Sequence, residues 1–195
     1  ATRDLVLVGG GHAHVQVIRR WMMSPVPGVA LTVVLDRGEA VYSGMVPGFV
    51  AGELPSHDCT IDVVPLVRRA GGTVVLSAAT RIDPANRRIC FADRPPLGYD
   101  VASIDVGSTV RGLERPGVRA HALATRPIGQ FVAEVDARIA SLREIAAQHD
   151  GDRERPHVAI VGGGAAGFEI ACTLHARLDD FSRHLDWSLI GGDTM

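Results

Sequence analysis

Two short glycine runs constrain this chain most, because each follows an apolar strand and opens a helix. Leu5-Val6-Leu7-Val8 leads into Gly9-Gly10-Gly11-His12-Ala13-His14, and Val158-Ala159-Ile160-Val161 leads into Gly162-Gly163-Gly164-Ala165-Ala166-Gly167. A parallel strand that passes into a helix must reverse sharply, and the first glycine of each run permits that turn. The second has no Cβ, so backbone N–H groups can close on a pyrophosphate at the positive end of the helix dipole. A third small residue lets the helix lie close against its strand. Gly162, Gly164 and Gly167 fill all three positions, whereas the first run offers Gly9 and Gly11 with His14 in third place. One such run is weak evidence. Two, each in a strand–turn–helix setting, predict two dinucleotide sites on one polypeptide, and with them redox chemistry between nucleotide cofactors.

Composition fits an α/β protein built on short buried strands of Val, Ile, Leu and Ala: 46% of residues are apolar and only 5% aromatic. The formal charge of −2, with both signs mixed along the chain, argues against a nucleic-acid surface or a polybasic membrane patch. No apolar run approaches the length of a bilayer span, and no signal-peptide pattern precedes the strand at Leu5. Cys59, Cys90 and Cys172 are scattered, without a C-x-x-C or C-x-x-x-x-C pair. A disulfide framework is not expected, and a cytoplasmic setting is.

Apolar periodicity predicts strands at residues 5–8, 30–35, 73–76 and 101–106, with a hairpin over 79–93 that turns at Asp83-Pro84-Ala85-Asn86. Helices are predicted at 12–23, where Pro25, Pro27 and Gly28 end the pattern, at 62–70 and at 128–149. The last carries an apolar stripe of Phe131, Val135, Ile139, Leu142 and Ile145, read as core packing. The charged stretch from Asp150 to Pro156 reads as a boundary. After it come a strand, the second glycine turn, a helix to about Asp179 and a strand at 187–190. The expected organisation is therefore a first nucleotide domain over 1–127, a connecting helix and linker over 128–155, and the start of a second nucleotide domain over 156–195. A single strand–helix–strand unit leaves an apolar face without cover, so the chain reads as the N-terminal part of a longer protein. Ala1, in place of an initiator Met, fits a processed or trimmed start.

With these residues in view, the chain resembles the pyridine nucleotide–disulfide oxidoreductases, the flavoproteins with two nucleotide domains. The resemblance covers essentially the whole length and is strongest to the branch of type II NADH dehydrogenases and sulfide:quinone reductases. Within it, Gly9-Gly10-Gly11-His12-Ala13-His14-Val15 and Tyr42-Ser43-Gly44-Met45-Val46-Pro47-Gly48 look like the flavoprotein module fused to selenide, water dikinases. The implied fold is α/β, an FAD/NAD(P)-binding Rossmann-like fold of glutathione reductase type, with a central parallel sheet and a β-meander. The implied cofactors are FAD on the first domain and NAD(P)H on the second. The implied activity is hydride transfer from nicotinamide to flavin, then electron delivery to a small-molecule acceptor such as a quinone.

The resemblance assigns FAD contacts to Gly9, Gly11, His12, Ser43, Met45, Gly107 and Ser108, with Asp36 on the adenosine ribose and Ala79 beside adenine. It assigns Gly162, Gly164, Ala166 and Gly167 to NAD(P), and gives Glu169 a catalytic role near the flavin–nicotinamide junction. Asp105 departs from the pattern, standing where most relatives carry alanine or an apolar residue. The paired cysteines of the disulfide reductases are absent, so a dithiol relay is not expected. The run Gly191-Gly192-Asp193 does not choose between NADH and NADPH.

Plainer readings stand beside these. Asp36 also reads as a solvated strand-end carboxylate, Glu169 equally as a first-turn carboxylate favoured by the helix dipole, and 42–48 as a connecting loop. Cys172 reads as a compact core residue, and Cys90 as a hairpin residue without a partner. His12 and His14 sit two apart on a helix and point away from each other, which disfavours a shared metal. The chain could instead be a non-catalytic docking module for a selenide, water dikinase domain. The remaining C-terminal half of the same protein and a second copy are further candidate partners.

Overall fold

The computed structural model describes residues 2–148 and 155–191, with side chains at all of these but 182 and 183. In chain order the elements are β1 (Arg3–Val8), α1 (His12–Met23), β2 (Val29–Leu35), β3 (Glu39–Val41), a 3-10 turn at Ser43–Met45 and α2 (Val46–Ala51). A second 3-10 turn at Ser56–Cys59 leads to β4 (Thr60–Asp62), α3 (Val63–Arg69), β5 (Thr73–Leu76), β6 (Ala79–Asp83), β7 (Arg88–Phe91), β8 (Leu97–Gly98) and β9 (Val101–Ile104). Then follow α4 (Val118–His121), α5 (Ile128–Ala147), β10 (His157–Val161), α6 (Ala165–Arg177), a 3-10 turn at Asp179–His184 and β11 (Asp186–Ile190). The chain divides into two compact units. One comprises Ala1–Tyr42 and Thr60–Thr109, the other Ser43–Cys59 and Val110–Met195.

The first unit is built on a parallel sheet of order β5-β2-β1-β9. Successive side chains of β1 point to opposite faces, and both faces are covered, which is why the strand carries no polar residue in its last four positions. Leu7 joins Val15, Ile18 and Trp21 of α1, Val63 and Val67 of α3, and Leu31, Val33 and Leu35 of β2. Val6 and Val8 face the other way, onto Val34, Val75 and Ile89. Ile89 belongs to β7, the middle strand of the antiparallel meander β6-β7-β8. The unit is thus helices, parallel sheet and meander in three layers. This is the Rossmann-like arrangement, with central parallel sheet and β-meander, that the family resemblance implies; β8 extends the predicted hairpin into the meander.

In the second unit, α6 connects the parallel pair β10-β11. Arg177, near the end of α6, pairs with Asp136 of α5 at 2.8 Å and reaches the carbonyls of Phe49 and Val50 in the last turn of α2. The guanidinium thus adds a donor to the last turn of α2, where the C-cap Gly52 N–H already donates to the Phe49 carbonyl.

Several expectations need correction. The strand predicted over 101–106 ends at Ile104, because its neighbour β1 ends at Val8, the partner of Ile104. On α5 the buried residues are Phe131, Val132, Val135, Ile139 and Ala146, while Ile145 is exposed, so the buried face turns away from the expected stripe near the end. No residue of α6 is buried. Cys172 is accordingly exposed rather than packed in a core, and with Ile160, His175 and Trp187 it lines an apolar depression over β10-β11. Expectations at Ala1, His149, residues 150–154 and residues 192–193 lie outside the described residues.

Candidate functional site

The two glycine turns are built alike. At the first, Gly9 has φ of +96° and its N–H donates to the Val34 carbonyl at 2.8 Å. At the second, Gly162 has φ of +117° and its N–H donates to the Ile190 carbonyl, also at 2.8 Å. Each first glycine therefore extends a parallel ladder by one bond and then leaves it in a conformation closed to ordinary side chains. Each second glycine, Gly11 and Gly164, is the N-cap of the helix that follows, and it offers no side-chain oxygen to the first-turn amides.

The third position is solved in two ways. A Cβ on Gly167 would fall on the carbonyl oxygen of Gly162, so the start of α6 and the end of β10 meet backbone to backbone. At the first turn His14 holds the matching carbonyl by a hydrogen bond. Its Nδ1 lies 2.8 Å from the Gly9 oxygen, and its Nε2 lies 2.9 Å from the Ser103 hydroxyl on β9. A carbonyl only accepts, so Nδ1 carries a proton, and in the neutral ring Nε2 accepts from the Ser103 hydroxyl. His14 is 2% exposed. What reads in sequence as a lost glycine is a buried tie between α1, the turn and β9. Replacing His14 with Phe keeps the bulk but strands the Gly9 carbonyl, and is expected to cost about 2 kcal/mol. Thermal unfolding checks this, with His12→Ala expected to cost under about 1 kcal/mol.

His12 differs from its neighbour two residues on. It is exposed at the start of α1 and stacks on Tyr42, with ring centroids 4.6 Å apart and planes 18° from parallel. Asp36 follows the last residue of β2, at the same carboxyl edge of the sheet as Gly9. Its carboxylate accepts from Arg37 Nε at 3.1 Å, in a pair that is more than half exposed and contributes little to stability. Ala79 opens β6 and packs against the Val6, Val8, Val34 and Val75 cluster. Gly107 has φ of +82° with open space around its Cα, and both it and Ser108 are exposed. The first unit thus gathers Gly9, Gly11, His12, Asp36, Gly107 and Ser108 at or just beyond the carboxyl ends of its parallel strands, where open α/β sheets bind ligands.

Ser43 and Met45 belong to the second compact unit, on the 3-10 turn before α2. Ser43 is exposed, and the Met45 carbonyl accepts from the Cys59 thiol at 3.7 Å. Burial, followed by the charge of Asp58, pushes the Cys59 thiol above its ordinary pKa, which disfavours the thiolate. Cys90 has a partner that the sequence did not suggest, since Arg81 Nη2 lies 3.5 Å from its sulfur. All three cysteines are free. Glu169 is exposed on α6 and is not in its first turn, so a first-turn capping role is excluded; its backbone carbonyl accepts from Thr173.

Asp105 is the functional candidate that sequence reasoning left without a role. Its N–H donates to the Val8 carbonyl at 2.8 Å, and its own carbonyl accepts from Gly11 N–H at 3.1 Å. Its carboxylate accepts from the His14 backbone N–H at 3.2 Å. That amide is the third of α1, the one an N-cap Ser or Asp ordinarily serves. A Cβ on Gly11 would fall on the Asp105 carboxylate, so glycine is required there for close approach. The sequence signal was an acidic residue at an apolar position, together with a glycine N-cap that has no oxygen of its own.

The comparisons with known proteins agree with this architecture. The family model for pyridine nucleotide-disulphide oxidoreductases matches residues 3–182. A NADH dehydrogenase-like protein of Bacillus subtilis, YutJ, is 25% identical over 185 residues, covering 92% of this chain and 47% of that protein. The sulfide:quinone oxidoreductase of Aquifex aeolicus superposes on 97% of this chain and 43% of its own, with TM-score 0.76 at 19% identity. The NDH2 of Plasmodium falciparum, solved in complex with NADH, does so over 97% and 42%, with TM-score 0.76 at 17% identity. The chain therefore spans about half the length of its relatives, or slightly less. No helix among the described residues is long and apolar enough to cross a membrane. From β1 through the second glycine turn, in sequence match and in fold, this chain belongs to the pyridine nucleotide-disulphide oxidoreductase family.

Proposed function

We propose that this chain carries the two nucleotide-binding turns of an FAD-dependent NAD(P)H oxidoreductase. FAD is assigned to the turn at Gly9 and Gly11, and the nicotinamide nucleotide to the turn at Gly162, Gly164 and Gly167. The observation that carries this reading is the repeated geometry: a first glycine at positive φ ending a parallel strand, and a second glycine serving as N-cap of the next helix. That geometry turns helix N-terminal amides outward with no Cβ on the N-cap residue itself, as a pyrophosphate requires. The residues present fit the two nucleotides, with one exception at Asp105 taken up below.

In this reading Asp36 turns from Arg37 to accept the adenosine ribose hydroxyls, His12 stands beside the FAD pyrophosphate, and Ala79 borders the adenine. Ser43, Met45, Gly107 and Ser108 are assigned to the flavin side, Ala166 to the NAD(P) phosphates, and Glu169 to the flavin environment. When bound, the cofactors supply the chemistry, hydride transfer from nicotinamide to flavin and onward delivery to an acceptor such as a quinone. The chain's residues bind and orient. With no cysteine pair at either glycine turn, the reading needs no dithiol step.

The test is the visible spectrum of the purified chain with added FAD, followed by anaerobic NADH or NADPH. A flavin band that bleaches with one of the nucleotides is the expected result. A protein that takes up no FAD overturns the reading for this chain. Nucleotide binding without bleaching would favour the docking-module alternative, beside a selenide, water dikinase domain.

A further inference from the structure

We propose that the Asp105 carboxylate is a resident anion at the N-terminus of α1, which holds the first glycine turn in shape while weakening its grip on a dinucleotide pyrophosphate. This rests on the assignment of FAD to that turn. The argument begins with the N-cap. Gly11 has no side-chain acceptor, so the first-turn amides of α1 need one from elsewhere. Asp105 supplies it from beyond the end of β9, its carbonyl on Gly11 N–H and its carboxylate on His14 N–H. The carboxylate lies so close over Gly11 that even a methyl group there would overlap it.

That is the surface a dinucleotide phosphate uses when it approaches a glycine N-cap. The same helix end therefore faces two anions, one covalently attached and one on the ligand. Their charges repel, and a bound phosphate must either displace the carboxylate from His14 N–H or sit beside it. Asp105 is thus a residue that sets affinity at this turn. It keeps the turn formed without ligand and sets the affinity for the phosphate-bearing part of the cofactor. α6 offers an internal reference, since nothing lies within 4 Å of where a Cβ on its N-cap Gly164 would stand, whereas Asp105 fills that place at Gly11.

Asp105→Asn separates the two roles, because the amide oxygen can still accept from His14 N–H while the charge is gone. Calorimetric titration of the 195-residue chain with FAD and with ADP, alongside thermal unfolding without ligand, tests the proposal. Asp105→Asn is expected to bind both probes about tenfold more tightly, as removal of one like charge at close range in a partly hydrated cleft implies. It should lower the ligand-free melting temperature less than Asp105→Ala does, and it should leave NADH affinity at the second turn unchanged. Binding by Asp105→Asn where the wild-type chain binds neither probe supports both this inference and the FAD assignment. Wild-type binding with unchanged or weaker affinity in Asp105→Asn overturns the inference alone. Failure of every variant to bind FAD or ADP overturns the assignment, and the inference with it.

Discussion

Replacing Gly9 with alanine is expected to cost the first unit about 4 kcal/mol, from backbone strain and steric overlap together. At φ of +96° an L residue is strained, which alone is worth about 1–3 kcal/mol. The added methyl would also fall on the carbonyl of Asp105 and against the Cα of Val106. That backbone is not free to retreat, because Asp105 N–H is bonded to Val8 and its carbonyl to Gly11. Gly107→Ala is the matched control. It too has positive φ, at +82°, but no atom lies within reach of its Cβ, so strain acts there without overlap. Chemical denaturation followed by circular dichroism should show Gly9→Ala losing about 2 kcal/mol more than Gly107→Ala. Equal losses would mean that β9 can move off the turn, and that the close approach of Asp105 to α1 is not a fixed feature. Against a total stability of about 5–15 kcal/mol, the predicted loss is a large fraction but leaves a folded unit whose denaturation midpoint can be read.

What the sequence made legible was local. α1 runs from His12 to Met23 as predicted, since a glycine run opens it and prolines close it. β5 was readable for the same kind of reason, between Gly72 and Ser77. The glycines themselves disclosed the two turns. Coverage was not legible: periodicity shows which face of a helix is apolar, but not whether anything lies on it. Hence Cys172 and Ile145 are exposed where a core was expected. Long-range polar ties were equally hidden. The His14–Ser103 bond and the Asp105 contact with α1 each join residues about ninety positions apart, and no local pattern announces them. Both residues were visible as departures, a histidine for a glycine and an acid for an apolar residue. The departures are coupled, because His14 gives its ring to the turn and to β9 while its backbone amide goes to Asp105.

The second turn separates shape from ligand binding more cleanly, through Gly164 and Gly167. Gly167→Ala puts a methyl on the Gly162 carbonyl oxygen, so α6 must lift from the end of β10. Overpacking of this kind costs about 1–3 kcal/mol, and it also moves the helix amides that would face a phosphate. Gly164→Ala meets no neighbouring atom, and its φ of −74° suits any residue. Its methyl would instead stand where a pyrophosphate closes on the helix end. Since alanine is a poorer N-cap than glycine, Gly164→Ala is expected to lose up to about 1 kcal/mol, and Gly167→Ala more. NADH affinity should fall in both, by about ten- to a hundredfold, equivalent to about 1.4–2.8 kcal/mol. Fluorescence titration with NADH reads the binding, and denaturation reads the fold. If Gly164→Ala binds NADH as the wild-type chain does, the turn is a packing device and the nucleotide is held elsewhere. If it loses binding with no more than that small loss of stability, the missing Cβ at Gly164 serves the ligand, and the missing Cβ at Gly167 serves the helix.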